Sequence, residues 1–314
     1  MGKGNGYSGS GIKMKKLKDC KFSNLKYKTQ RKVIILIFLL IPVTLLLVFA
    51  YIPLGKLVFY SFTDWNGTSK NYSFVGVENY RKVFTDPEQF SVLKVSFYYI
   101  LGTFVQTALA LYFATILSFK VRFKNLFKAI IFFPYLINGV AIGFIFLLFY
   151  KSGGMLDTIL TMAGMENLIR KWLGEPQIVN WSIVATSIWR YMGFMFVIFY
   201  GAIASISSEI YEAADVDGAN TWHRFYYIIV PGIRQVIFVN LVINLSGALS
   251  IYEMPYIMTG GANRTKTFLM NILDTAFKYN KYGTASAMSV ILLSIILMIA
   301  VLQKAVIGRE DKES

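Results

Sequence analysis

Six apolar segments, each long enough to cross a lipid bilayer, constrain this chain more than any other feature. They cover residues 33–59, 92–119, 129–150, 181–206, 236–258 and 284–306. A helix needs roughly 20 apolar residues to span the hydrocarbon core, and backbone groups in lipid must find their hydrogen bonds inside the protein. The sequence therefore predicts an all-α, polytopic membrane protein with six transmembrane helices within residues 33–308.

Composition and charge placement support this reading. Charged residues make up 16% of the chain and the mean hydropathy is +0.52, whereas soluble domains carry about 25% charged residues. The net charge of +15 is concentrated, since ten Lys/Arg residues precede position 33. The positive-inside rule then predicts that residues 1–32 form a basic, disordered cytoplasmic tail. Lipid, rather than nucleic acid, is the expected partner of these charges.

The orientation of the remaining loops follows from the first span. With six spans both termini are cytoplasmic, so residues 309–314 form a short cytoplasmic tail. The short loop at 120–128 carries four basic residues and agrees with this orientation. An amphipathic stretch at 77–84, outside the first span, has two open interpretations: a helix lying in the membrane interface or a contact with an external partner.

The sequence lacks the residue patterns of a metal site and of a P-loop ATPase. The chain has one cysteine, Cys20, and one histidine, His223, and no Cys/His/Asp cluster has metal-ligand spacing. No Gly-x-x-x-x-Gly-Lys-Ser/Thr phosphate loop occurs. We therefore predict no catalytic residues, no metal and no cofactor on this chain, and no ATP hydrolysis by P-loop chemistry.

The charged segment at 207–231, between the fourth and fifth spans, is predicted to fold as a helix-turn-helix. Ser207 or Ser208 can cap a first helix, with acidic residues near its positive N-terminal end. Gly218 permits a sharp turn with positive φ. A second helix at 221–229 is expected to stop at Pro231, and Asp217 either caps it or pairs with a base on a partner.

Within this segment, Glu212, Ala213, Ala214, Gly218, Ile228 and Pro231 fall at the spacing of the "EAA" loop of membrane subunits of binding-protein-dependent ABC importers. One departure is Val230, where that family usually has Leu. The chain also resembles the sugar-type branch of these permeases at 61–66, 74–80, 256–261 and 282–289, so that the resemblance covers roughly residues 35–308.

The resemblance implies a type I ABC importer permease fold in a bacterial or archaeal cytoplasmic membrane. It implies a second homologous permease, two ABC ATPase subunits that bind ATP and Mg, and an extracytoplasmic solute-binding protein. It assigns ATPase coupling to residues of the 207–231 loop, of which Glu212 is the expected salt-bridge partner. These residues are Glu212, Ala213, Ala214, Asp217, Gly218, Ala219, Ile228 and Pro231.

Polar side chains inside the spans are candidates for a solute path, because charges at membrane depth are costly and face protein or water. Arg190 has two open roles: a donor to the solute, or a structural pair with a carboxylate such as Glu253. The fifth span carries two polar stripes, 240/244/247/251 and 246/250/253, predicted on nearly opposite faces. The candidate path residues are Arg190, Tyr191, Asn240, Asn244, Tyr252 and Glu253.

The function that follows from the resemblance is uptake of a sugar or oligosaccharide, driven by a separate ATPase. One alternative is the same machine with another solute, such as glycerol phosphate. An alternative of a different class is a channel or secondary transporter that works without an ATPase, against which the 207–231 loop argues.

Overall fold

A computed structural model describes residues 26–119 and 121–310 of the chain. Within them the regular structure is helical, and one isolated antiparallel bridge joins Thr63 to Phe74. This confirms the predicted all-α class. The chain separates into two compact units, Met1–Lys56 and Leu57–Ser314. The predicted disorder of residues 1–25 and the tail at 311–314 lie outside the described residues.

The first predicted span is a single long helical segment. It consists of α1 (Tyr27–Leu46), a π-helical turn (Leu47–Tyr51) and α2 (Ile52–Tyr60). Helix α1 begins six residues before the predicted span and takes in the last basic residues of the tail. The apolar side chains along α1 are exposed to the surroundings of the protein, as expected of a helix whose solvent is lipid.

Four more helices or helix pairs cover predicted spans within a few residues. They are α5 (Leu93–Ser118), α9 (Val179–Ala204), the pair α13 (Arg234–Leu249) and α14 (Glu253–Thr259), and α16 (Tyr282–Glu310). Helices α5 and α9 approach closely where α5 presents Gly102, Ala110 and Ala114. Small residues of this kind allow membrane helices to pack backbone against backbone.

The third predicted span is not one straight helix. Residues 129–150 belong to two helices, α6 (Lys124–Leu136) and α7 (Gly139–Tyr150), which are bent by 96° at the break. Ile137 and Asn138 adopt extended backbone angles, and the Asn138 side chain accepts a hydrogen bond from the Val140 amide at 2.8 Å. A cap of this kind starts a new helix rather than continuing the old one.

The segments between the spans also carry helices. They are α3 (Glu78–Thr85), α4 (Pro87–Ser91), α8 (Met155–Met162), a 3-10 turn (Glu166–Leu168), α15 (Phe268–Leu273) and a π turn (Asp274–Lys278). In α3, which covers most of the amphipathic stretch, Val83 is buried while Val77 and Phe84 are exposed. Asn79 ties α3 to α16, since its amide donates to Thr63 O at 2.7 Å and its Oδ1 accepts from Thr284 at 3.1 Å.

Residues 207–231, called the finger below, fold as α10 (Ser208–Val216), a turn, and α11 (Thr221–Arg224). The expectation that the second helix stops at Pro231 was wrong. A π turn (Phe225–Ile229) and α12 (Val230–Gly232) carry the helical path through the proline. Proline lacks an amide hydrogen, and the wider π turn before it places Pro231 at the start of a new helical turn, where no such hydrogen is needed.

Candidate functional site

A cavity of about 450 Å³ lies among α5, α6, α9, α13 and α14. Its walls are aromatic rings, neutral polar side chains and small residues. They are Tyr99, Gly102, Thr103, Gln106, Tyr135, Val184, Ser187, Ile188, Tyr191, Phe194, Ile243, Asn244, Gly247, Ala248, Ser250, Ile251, Tyr252 and Glu253. Four of the six predicted path residues line it, namely Tyr191, Asn244, Tyr252 and Glu253.

Arg190 stands beside this cavity and is held by an ion pair. Its Nη1 lies 2.6 Å from Oε2 of Glu253 and 3.0 Å from the Tyr191 hydroxyl. The Arg190 side chain is 12% exposed and that of Glu253 is 36% exposed. Of the two open roles for Arg190, the structure thus provides the pair with Glu253. It places the carboxylate, rather than the guanidinium, in the cavity wall.

Gly139, the first residue of α7, leaves the space in which this ion pair sits. A Cβ atom built on Gly139 would collide with both Arg190 Nη1 and Glu253 Oε2. The Glu253 carboxylate therefore lies against the N-terminus of α7, where unpaired amides and the helix dipole favour negative charge. The break in the third span therefore places the N-terminus of α7 against the ion pair.

A second break, between α13 and α14, changes the predicted geometry of the polar stripes. The chain leaves helical conformation at Ser250–Tyr252 before α14 begins at Glu253. Asn244, Gly247 and Ile251 of one stripe line the cavity, as do Ser250 and Glu253 of the other. The prediction that the stripes face nearly opposite sides was wrong at this end, because the break rotates Glu253 into the same wall.

Asn240, like Arg190, is a predicted path residue that does not line the cavity. It is buried one turn before Asn244, and its amide donates to Val236 O at 2.9 Å. Its Oδ1 has no hydrogen-bond partner within the described residues. Asn244 donates in turn to Asn240 O at 2.7 Å.

Gln106, Tyr135 and Ser187 line the cavity although no sequence pattern singled them out. Gln106 Nε2 lies 2.9 Å from Met195 Sδ and 3.4 Å from Asn244 Oδ1, and so links α5 to α9 and α13. A lone glutamine within an apolar span is a sequence signal that could have identified Gln106, because polar side chains in spans face protein or water. Tyr135 had no such signal, since its ring reaches the cavity only because α6 ends near Leu136.

The finger has the local structure that the sequence predicts at two points. Ser207 accepts a hydrogen bond from the Glu209 amide and caps α10. Gly218 has φ +72° in the turn, a conformation that costs L-residues roughly 1–2 kcal/mol. The expected cap by Asp217 was wrong, because Asn220 occupies the cap position and accepts from the His223 amide at 2.9 Å.

An ion pair inside the finger was not anticipated. Arg224 pairs with Asp215 across the turn, and its Nε donates to Ala219 O at 3.2 Å. These contacts join α11 to α10. Burial raises the pKa of the Tyr211 hydroxyl in α10 above its ordinary value. Ala214 in α10 and Ile229 in the π turn are also buried.

The outer surface of the finger exposes both charged and apolar groups. Val216 is 89% exposed and Trp222 is 68% exposed, so Trp222 is not buried among the spans. The predicted coupling residues are spread over this surface and its edge. Glu212, Ala213, Asp217, Gly218 and Pro231 are exposed, Ala219 and Ile228 are half-buried, and Ala214 is buried.

No group of three or more His, Cys, Asp or Glu side chains in the described part of the chain is arranged to hold a metal ion. A second cavity, of about 680 Å³, lies between the finger and the ends of α5 and α9. Both acidic and basic residues line it, including Lys124, Glu212 and Asp215.

Comparison with known proteins agrees with this picture. Residues 106–311 match the model of a family described as "Binding-protein-dependent transport system inner membrane component". The chain is 31% identical to a probable ABC transporter permease protein, YurN, of Bacillus subtilis (strain 168), over 87% of this chain and 96% of the relative. It is 30% identical to the multiple sugar-binding transport system permease protein MsmF of Streptococcus mutans, over 85% and 92%.

A solved structure shares the fold. It is a chain of a bacterial ABC transporter involved in the import of the acidic polysaccharide alginate, with a TM-score of 0.79 and 21% sequence identity. The match covers 90% of this chain and 97% of that chain. The type I ABC importer permease fold expected from the sequence is thereby confirmed.

Proposed function

The chain belongs to the family of binding-protein-dependent transport system inner membrane components, and from this membership we propose that it forms one half of the translocation path for a sugar or oligosaccharide. The observation that carries the proposal is the family match at residues 106–311, together with a cavity lined by several of the candidate membrane helices. A relative named for sugar transport, MsmF, supports the solute class.

The cavity has the chemistry that a saccharide needs. Tyr135 and Phe194 stack with ring centroids 4.9 Å apart, and Tyr191 stands near them at 6.4 Å. Aromatic faces cover the apolar faces of sugar rings, while Gln106 and Asn244 offer amide donors and acceptors to hydroxyl groups. The proposed path residues are therefore Tyr191, Asn244, Tyr252 and Glu253 in the wall, with Arg190 and Asn240 behind it.

The finger is the proposed contact with a separate ATPase subunit. Glu212 is exposed and makes no ion pair within the described residues, which leaves it available for a base on the ATPase. Ala213 and Ala219 are small and allow a groove to approach the backbone. The ion pair between Arg224 and Asp215 joins α11 to α10. A displacement of the outer surface of the finger therefore reaches the spans through Ile229 and the helix that follows.

The proposed assembly contains a second homologous permease, two ABC ATPases that carry ATP and Mg, and an extracytoplasmic solute-binding protein. The permease lies in a bacterial or archaeal cytoplasmic membrane with both termini and the finger on the cytoplasmic side. The domain division proposed is a basic tail, a permease domain of about residues 33–308 that includes the finger, and a short C-terminal tail.

The test is purification of tagged protein from its native membrane in mild detergent, with mass spectrometry of the associated proteins. We expect a second six-span permease and a P-loop ATPase. Glu212→Lys should reduce the ATPase recovered by about tenfold, since one lost charge contact of 1.4 kcal/mol has that effect. Glu166→Lys, the same charge change in another exposed loop, should leave recovery unchanged.

A channel or secondary transporter makes the opposite prediction. The chain would then purify alone and support flux in liposomes without ATP. That result would remove the importer proposal.

A further inference from the structure

We propose that the solute carried through this cavity has no net charge, which favours neutral saccharides over uronates, sugar phosphates and glycerol phosphate. The inference rests on the proposed function and deepens it. It depends on the charges of the side chains in the cavity wall, and on the position of the Arg190 guanidinium beside that wall.

The cavity wall contains a single ionisable acid and no base among the described residues that line it. That acid is Glu253, whose carboxylate is a little over one third exposed. A solute anion in this cavity would lose its own water and find no unpaired base among the described residues that line it.

Arg190 is the cation that an anionic solute would need, and it is already occupied. Its Nη1 bonds Glu253 at 2.6 Å and the Tyr191 hydroxyl at 3.0 Å, and its Cζ lies 4.9 Å from the centre of the Tyr191 ring. The Nε of Arg190 is buried without a partner in the described part of the chain, so it does not point to the cavity. The guanidinium neutralises Glu253, so the pair as a whole presents no net charge to the solute.

The geometry around the pair keeps it in this position. Gly139 leaves just enough space for the two side-chain ends, and a Cβ at that position would collide with both. The amides at the N-terminus of α7 give the carboxylate a second source of positive potential. The pair therefore stays closed when a neutral solute enters, because neither member gains from leaving the other.

The remaining polar wall is neutral. Gln106, Asn244, Ser187 and Ser250 supply amides and hydroxyls, which can donate and accept hydrogen bonds. Groups of this kind match the hydroxyls of a neutral sugar without requiring a counter-charge. The fold alone does not decide whether the solute is charged, since a structure of the same fold belongs to an importer of an acidic polysaccharide.

The test uses the assembly purified from the native membrane and reconstituted in liposomes. The probe is a library of neutral di- to pentasaccharides, oligouronates of the same lengths, sugar phosphates and glycerol phosphate. Mass spectrometry reads the compounds taken up with ATP inside. We expect neutral saccharides only, enriched over acidic ones by more than about 100-fold.

The possible results separate two failures. Uptake of oligouronates or phosphates in preference to neutral sugars would overturn the inference and leave the importer function standing. Uptake of neither class would overturn the proposed saccharide importer itself, and the inference with it.

Variants of the pair provide an independent reading. Glu253→Gln leaves the Arg190 guanidinium without its counter-charge, and oligouronate uptake should rise relative to neutral uptake by about tenfold. Arg190→Gln combined with Glu253→Gln removes both charges and should restore the neutral preference. An unchanged ratio in the single variant would contradict the role given to Glu253, and if neither variant assembles, the wild-type library result decides.

Discussion

The cavity and the finger use their polar groups in opposite ways. Around the cavity, Arg190 forms an ion pair with Glu253, and the Gln106 amide contacts Met195 and Asn244. These polar groups therefore bond to other residues of the chain. In the finger, Glu212 and Asp217 stand exposed beside Val216 and Trp222. The polar groups around the proposed solute cavity are positioned by contacts inside the chain, whereas those of the proposed ATPase contact are exposed.

The difference follows from the solvent of each region. A buried charge at membrane depth must find its partner inside the chain, whereas an exposed charge in water costs little until a partner arrives. Variants of the cavity should therefore alter folding and stability, and variants of the finger should alter association and coupling in a protein that still folds.

The largest effect is expected where α6 packs on α9, behind the cavity. A Cβ at Gly193 would collide with Ile131 O and come within 2.9 Å of the Phe132 Cα. Gly193→Val should therefore destabilise the protein by about 3 kcal/mol, because backbone cannot move aside cheaply. Thermal unfolding in detergent measures this. Gly201→Val lies on the same helix in open space and should have little effect; equal loss in both variants would contradict the packing argument.

The next effect concerns the ion pair. Arg190→Gln leaves Glu253 without its partner and should destabilise the protein by about 1–3 kcal/mol, less than for a fully buried pair, since Glu253 is partly exposed. Adding Glu253→Gln should recover much of the loss. Chemical or thermal unfolding of the two single variants and the double variant gives the coupling energy, and strict additivity would show that the pair contributes nothing.

These two predictions concern the region that the sequence described least well. The polar residues of the spans were identified, but not which of them meet. That depends on the breaks at Ile137–Asn138 and Ser250–Tyr252, which rotate α7 and Glu253 into place. The second break is stabilised by a contact from a distant segment, the hydrogen bond that Thr267 donates to Ile251 O at 2.7 Å. A local pattern carries no record of such contacts.

The finger was predicted much more fully, because its structure is local. The Ser207 cap and the positive φ of Gly218 are decided within a few residues of each position. The cap of the second helix was assigned to Asp217 instead of Asn220 because both residue types favour that position. The path through Pro231 was missed because a π turn is too rare to expect from sequence.

A smaller effect on stability, but a clear effect on coupling, is expected at Gly218. Gly218→Val places a β-branched residue at φ +72° and should cost about 1–2 kcal/mol locally. Uptake per ATP hydrolysed should fall while the protein still purifies. Gly218→Asn is the matched control, since asparagine tolerates this conformation, and should retain most of the coupling. Wild-type coupling in Gly218→Val would remove the role given to the turn.

The smallest effect is expected at the ion pair inside the finger. Asp215 is more than half exposed, so the pair should contribute about 0.5–1 kcal/mol. Arg224→Met should then speed amide hydrogen exchange in the finger by roughly two- to fivefold, with the spans unaffected. Lys171→Met, in another exposed segment, should leave finger exchange unchanged. Faster exchange throughout α9 and α13 would show that the pair supports more than the finger.

Contact between the finger and an ATPase subunit is the proposal on which the others depend. A single cysteine at Ala213, introduced in a Cys20→Ser background and carrying a photo-crosslinker, tests this contact in the native membrane. We expect an adduct with a P-loop ATPase from position 213 and none from a matched cysteine at Ala163. Adducts with the ATPase from Ala163 alone, or none from either position while uptake persists, would contradict it.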